Sequence, residues 1–294
     1  MLHRRMTLKV PNMMSGSPLE CLPTEVIVSI FTALPSFSDV AWFAATGRRF
    51  HRVWTENAYS IYQQIAPRTV PCRRHARILL ADQGGPHPNA ANLSFPHVLR
   101  LIQNAAILER SAEDFNKHHR ERVQGTDLLL HSAPLELPPF PQHRPCLSRS
   151  ERPRFIRGLY QLWSLVLLSN PEKRQQRIRQ MKLKDLWVVR DLIVGDVVRI
   201  PAPIFLAMQD PGVAFEQVHL DLLPWLEQML DDLYGEPIGR WCQPFSEGLN
   251  GCISIWDSYY NEFKDMVLRG FLDKKPHPDP ETVWDDTSDE DQVE

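Results

Sequence analysis

Apolar residues recur at helical spacing from Val26 to Phe271, whereas alternation of apolar with polar residues is confined to short runs such as Met6 to Val10 and Val218 to Leu222. A half-buried strand needs period two and an amphipathic helix needs 3.6, so the pattern argues for an all-α chain. Proline punctuates it: Pro23, Pro35, Pro67, Pro171, Pro201 and Pro203 each stand at a predicted helix start or end. No repeat of fixed period runs through the sequence, which predicts an irregular helical fold rather than a stacked array.

The most informative segment is Leu19 to Trp54. Pro23 suits a first helical turn, and Val26, Ile27, Ile30, Phe31 and Leu34 follow at helical spacing until Pro35 stops them. Ser38-Asp39 predicts a fresh N-cap with an acid for the helix dipole, and Val40, Phe43 and Ala44 continue the spacing to Gly47. Arg48 to Trp54 reads as a third short helix with Phe50, Val53 and Trp54 inward. A unit this small has little apolar surface of its own. Its first helix nevertheless carries Val26, Ile27, Val28, Ile30 and Phe31, enough to be apolar on more than one side, which predicts a face for another protein.

Leu22-Pro23-Thr24-Glu25, then Ile27, Ile30-Phe31, Leu34, Asp39 and Arg48-Arg49-Phe50 before Trp54, resemble the F-box. This is the three-helix module that docks on the small adaptor subunit of cullin-RING ubiquitin ligases. The resemblance covers residues 18–66 and is strongest to F-box proteins of filamentous fungi; Gly47 departs from it, since many relatives carry Cys or Ser there. It implies that Leu22, Pro23, Ile27, Ile30 and Leu34 form much of the adaptor-facing surface. The same five residues would also serve as the core of a plain helical domain. The resemblance further implies a substrate receptor, with an unidentified protein substrate, working in the cytoplasm or nucleus. A helical interaction protein that uses the module for binding alone is the alternative.

Further along, Glu56 to Ile65 reads as a separate helix, Cys72 to Asp82 as a short one, and Gln83 to Pro88 as a loop. A long helix is expected from Ser94 to about Arg122, completing a helical extension over 67–132. Residues 133–152 are crowded with prolines and read as an extended connector. A C-terminal helical domain then spans 153–275. Its first helix, Pro153 to Ser169, is apolar around most of its circumference and is predicted to be central and buried. Asn170-Pro171 starts the next, Leu186 to Val197 returns to the core, and amphipathic helices follow over Phe215–Leu233 and Ile253–Phe271. Residues 1–17 read as a flexible tail, and 276–294 as an acidic, disordered one.

Neither Gly-x-Gly-x-x-Gly nor Gly-x-x-x-x-Gly-Lys-Ser/Thr occurs, nor His-Glu-x-x-His, nor Gly-x-Ser-x-Gly, so the sequence argues neither for a cofactor nor for an enzyme. The five cysteines are scattered with no Cys-x-x-Cys pair, which fits reduced thiols better than disulfides or zinc. A formal net charge of −3 argues against nucleic acid or membrane surfaces as general partners, and no apolar run is long enough to span a bilayer.

One local departure stands out. From Arg144 to Arg190 there are twelve Lys or Arg against Glu151, Glu172 and Asp185. Two readings compete. Arg154, Arg157, Arg174 and Arg177 could line a groove for an acidic or phosphorylated partner, because planar guanidiniums make bidentate contacts to such groups. Alternatively the strip is a helix face that balances acids elsewhere in the fold.

Overall fold

The computed structural model describes residues 18–130, 146–194, 222–228 and Asp257. The tail over 1–17, most of the proline-rich connector, the helices expected over Phe215–Leu233 (222–228 apart) and Ile253–Phe271 (Asp257 apart), and the acidic tail lie outside them. Among the described residues the regular structure is helical, with no strand, and no helix is long and apolar enough to cross a membrane. The chain divides into two compact units, residues 1–65 and 66–294.

In the first unit a 3-10 turn, Pro18–Cys21, leads into α1 (Thr24–Ala33) and α2 (Phe37–Ala45), and α3 (Arg48–Thr69) begins after Gly47. The expected cap of α2 shifts by two residues. Ser36, not Ser38, is the N-cap: its Oγ accepts from the Asp39 N–H at 3.2 Å and donates to Asp39 Oδ2 at 2.6 Å. The reason is local, because Ser36 has the extended backbone (φ −143°, ψ 162°) that an N-cap needs. The two helices expected over 48–54 and 56–65 follow one another within α3. A kink at Asn57 (φ −114°, ψ 15°) marks where they merge, and the Asn57 side chain donates to Val53 O at 2.9 Å.

The core of this unit is aromatic. The Phe31 ring lies edge-on to Phe43 at 5.0 Å and near Trp54 at 6.2 Å, while Phe43 stacks on Phe50 at 4.6 Å and Phe37 on Tyr62 at 5.8 Å. Such pairs contribute about 0.5–1.5 kcal/mol each beyond their area, a useful supplement in so small a unit.

The second unit contains α4 (Arg73–Asp82), α5 (Phe95–Leu130), α6 (Glu151–Leu167), α7 (Pro171–Arg179) and α8 (Leu183–Val194). As its all-round apolar sequence implies, α6 is central: it packs on α4, α5, α7 and α8. Phe155, Leu159, Tyr160 and Trp163 are buried, and Phe155 meets Phe115 of α5 at 4.7 Å. The crossing of α6 and α8 is set by Gly158. A Cβ there would collide with Val188 and lie 2.8 Å from Leu192, so only glycine permits this approach.

Local signals shape the ends. Asn170 caps α7, its Oδ1 accepting from the N–H groups of Glu172 (2.8 Å) and Lys173 (3.2 Å), with Pro171 at the first position. At the end of α4, Gly84 sits at φ 82°, where its N–H reaches Ala81 O and the Gly85 N–H reaches Leu80 O, a paired closure that needs a left-handed residue. Arg77 then holds the following loop through Pro88 O (3.0 Å) and Ala90 O (2.6 Å).

Candidate functional site

The first unit turns an apolar surface outward. Ile27 and Phe31 are completely buried, and this one stripe of α1 supplies its share of the core. The neighbouring stripe, Val26, Ile30 and Ala33, runs from half-buried to exposed, with Val26 at 41 %. Pro23 and Cys21 are exposed just ahead of it, and Leu19 is 47 % exposed in the preceding turn. Arg49 ties that turn to α3 by donating to Leu22 O. On α2, Val40 and Ala44 face inward while Ser38, Ala41, Trp42 and Ala45 are exposed. Trp42 is 77 % exposed, an unusual place for the largest side chain.

Of the five residues that the resemblance makes adaptor-facing, Pro23 is exposed, Leu22, Ile30 and Leu34 are half-buried, and Ile27 lies wholly inside. Leu19, Val26 and Trp42 are large, exposed and outside that set. Trp42 was legible as out of step with the inward spacing of Val40, Phe43 and Ala44. Nothing in the sequence separates the stripes of Val26 and Ile27, since a helix advances only 100° per residue.

The four arginines of the basic strip all have partners within the second unit. Arg154, 6 % exposed, donates to Ser150 O at 3.3 Å and pairs with Asp257. Arg157, 4 % exposed, lies 3.0 Å from Asp185. Arg174 reaches back to Leu165 O and Leu168 O, satisfying carbonyls that the end of α6 leaves open. Arg177 forks onto Asp82 and also donates to Ser164 Oγ at 3.1 Å. Their acidic and carbonyl partners belong to the chain itself, the arrangement that a charge-balancing face requires.

Asp257 shows how strongly such partners act. Partial burial would raise its pKa, but hydroxyl donors Ser150 and Ser148 and the Arg154 guanidinium outweigh it and hold the carboxyl below its usual value.

A cavity of about 570 Å³ opens beside this network, lined among the described residues by α4, α6, α7 and the turn into α8. Arg74, His75, Gln161, Arg177, Lys182 and Asp185 supply its polar groups, and Ile78, Leu165 and Met181 part of its apolar wall. His75 Nε2 lies 3.2 Å from the Gln161 amide nitrogen. Desolvation by the surrounding protein pushes the pKa of His75 down to about 4; Asp185 opposes this, while Arg157, Arg74 and Lys184 reinforce it. The imidazole is therefore neutral near pH 7, able to donate through one nitrogen and accept through the other. Sequence spacing could not reveal this site, because its residues come from segments far apart in the chain. Among the described residues no three metal-ligating side chains converge. Comparison with protein-family models, curated proteins and solved structures finds no match to this chain.

Proposed function

We propose that residues 18–66 act as an F-box and that the chain is a substrate-receptor subunit of a Skp1-cullin-F-box type ubiquitin ligase. The observation that carries the reading is the outward apolar surface of a unit whose aromatic core is already complete. Trp42, Val26 and Leu19 remain exposed although Phe31, Phe37, Phe50 and Trp54 fill the interior. Tryptophan is enriched among the residues that dominate interface energetics, so one left this open is an anchor available to a partner. The ordered motif from Leu22 to Trp54 names the partner class: the small adaptor subunit.

A receptor of this kind performs no bond chemistry. It binds a substrate protein and raises its effective concentration beside a ubiquitin-charged enzyme. The second unit and the residues beyond it would carry substrate recognition.

The test is pull-down of purified adaptor from a filamentous fungus by the full chain, wild type beside Val26→Asp and Trp42→Ala. Capture by wild type and loss in both variants, with unchanged helical circular dichroism, supports the reading. Equal capture by all three, or none by wild type, overturns it.

A further inference from the structure

The head of α6 holds a contact that the proposed receptor role does not use. Ser148 and Ser150 both donate to Asp257 Oδ2, at 2.7 and 2.6 Å, and their hydroxyl oxygens stand 2.9 Å apart. The Arg154 guanidinium takes Asp257 Oδ1. A carboxylate from more than a hundred residues away thus occupies an anion site made of two hydroxyls and one buried guanidinium.

The two hydroxyls are not equivalent. Ser148 is half-buried, and its Oγ also accepts from the Glu151 N–H at 3.1 Å. Ser150 is exposed and lies with exposed Arg149 in the turn before the helix. It stands at the N-cap position without capping it, its hydroxyl being turned to Asp257 instead. A serine in a turn beside an open arginine is accessible to a modifying enzyme with an acidic substrate groove.

A phosphoryl group on Ser150 would meet the same guanidinium. Ser150 and Arg154 are four residues apart, and Arg154 Nε already reaches Ser150 O at 3.3 Å. The phosphate brings a charge of about −1.5 to −2 at pH 7 and three acceptor oxygens, and the N-terminal end of a helix favours such a charge. Asp257 cannot share the site with it. Two anions at hydrogen-bond distance repel, and a phosphorylated Oγ has no proton left to donate. The Asp257 side chain is 39 % exposed, so its displaced carboxylate passes into water without crossing the core. Arg154 stays paired throughout, so the exchange leaves no uncompensated charge beside the buried helix.

We infer that Ser150 is a phosphorylation site whose phosphate replaces the carboxylate of Asp257 at Arg154 and frees Asp257 from α6. The donor is a nucleoside triphosphate held by a protein kinase. Ser150 Oγ forms a bond to the γ-phosphorus, and the bond from that phosphorus to the β–γ bridging oxygen breaks. The nucleoside diphosphate leaves, and the hydroxyl proton passes to a carboxylate base on the kinase. The inference stands apart from the receptor reading, since every residue it uses lies in the second unit.

Two measurements on the full chain test it. Phosphopeptide mass spectrometry of the protein expressed in a filamentous fungus, in growing and in starved cultures, finds phosphate on Ser150; its absence from both overturns the inference. Hydrogen exchange then compares the unmodified chain with one carrying phosphoserine at position 150, introduced by amber suppression, and with Asp257→Ala and Ser150→Ala. Peptides containing Asp257 exchange about tenfold or more faster in the phosphorylated chain and in Asp257→Ala, the scale of losing one hydrogen bond to a charged group. Ser150→Ala keeps Ser148 and Arg154 on the carboxylate and stays near wild type. Peptides of α6 are unchanged in all four chains. Wild-type exchange at Asp257 in the phosphorylated chain overturns the inference. Faster exchange that extends through α6 does so too, because the phosphate would then disrupt the helix rather than replace its partner.

Discussion

The guanidinium of Arg177 is clasped by the carboxylate of Asp82 at 3.1 and 3.0 Å, between residues 95 positions apart in the chain. Asp82 closes α4 and Arg177 belongs to α7, so this pair joins two elements that both border α6. The Asp82 side chain is only 8 % exposed. Removing one partner therefore leaves a buried charge uncompensated, which costs more than the pair itself contributes. Arg177→Met is expected to lower stability by about 2–4 kcal/mol. The double variant with Asp82→Asn recovers part of that loss, as urea midpoints in a double-mutant cycle will show.

A second prediction concerns the α6–α8 crossing. Gly158→Ala drives a methyl into Val188 and Leu192, and overpacking of this kind costs about 1–3 kcal/mol. Combining it with Val188→Ala makes room and returns part of the stability. Were the single variant to melt at the wild-type temperature, the close approach of these helices would be wrong.

Protonation of His75 gives a third. Its pKa is about 4 in the fold against 6.5 for an ordinary histidine. Between those values the unfolded chain holds a proton that the folded chain refuses, so stability falls as pH drops from about 6.5 to about 4. The slope from this one group approaches 1.4 kcal/mol per pH unit at most. His75→Gln removes it, and the difference between variant and wild type, measured by denaturation at pH 7, 5.5 and 4.5, isolates it. Asp257 acts in a lower window: its carboxyl is held below 3.8, so its contribution is present above that value and is lost as the pH falls further.

The fourth separates folding from docking within a single helical turn. Ile27 is completely buried and Val26 is not. Ile27→Ala should cost about 2–4 kcal/mol and lower the melting temperature of the first unit, whereas Val26→Asp should leave it folded. Near-equal effects on melting would show that the assignment of the two stripes is mistaken.

What could be read from the sequence was local. The Asn170-Pro171 start of α7 is written in adjacent residues and was found, as was the centrality of α6, because a helix apolar on every side has to be enclosed. Capping by Ser36 was misplaced at Ser38: both follow Pro35 closely, and only backbone geometry tells them apart. The boundary between the helices expected over 48–54 and 56–65 is present as the non-helical Asn57, where two helical segments meet across a kink.

The basic strip was harder for a different reason. An arginine's role is fixed by what faces it, and Asp82 and Asp257 lie 95 and 103 residues from Arg177 and Arg154. No window of sequence contains both members. The cavity was invisible on the same grounds, since α4, the loop at Pro88, α6 and α7 contribute to it separately.

Asp257 has one more consequence, for the order in which the protein is made. Its carboxylate takes Ser148 Oγ at 2.7 Å and Ser150 Oγ at 2.6 Å, its N–H donates to Glu151 at 2.8 Å, and it pairs with Arg154. All four groups lie at the head of α6, about which the second unit is built. A nascent chain can assemble α4, α5 and α6 on leaving the ribosome, yet it lacks this clasp until the chain has grown 90 residues beyond the end of α6. Biosynthesis thus leaves an interval in which the central helix has its hydrophobic neighbours but not the carboxylate of Asp257 at its N-terminal end. A chain halted before residue 257 would stay in that interval, and its weakest point would be the first turn of α6.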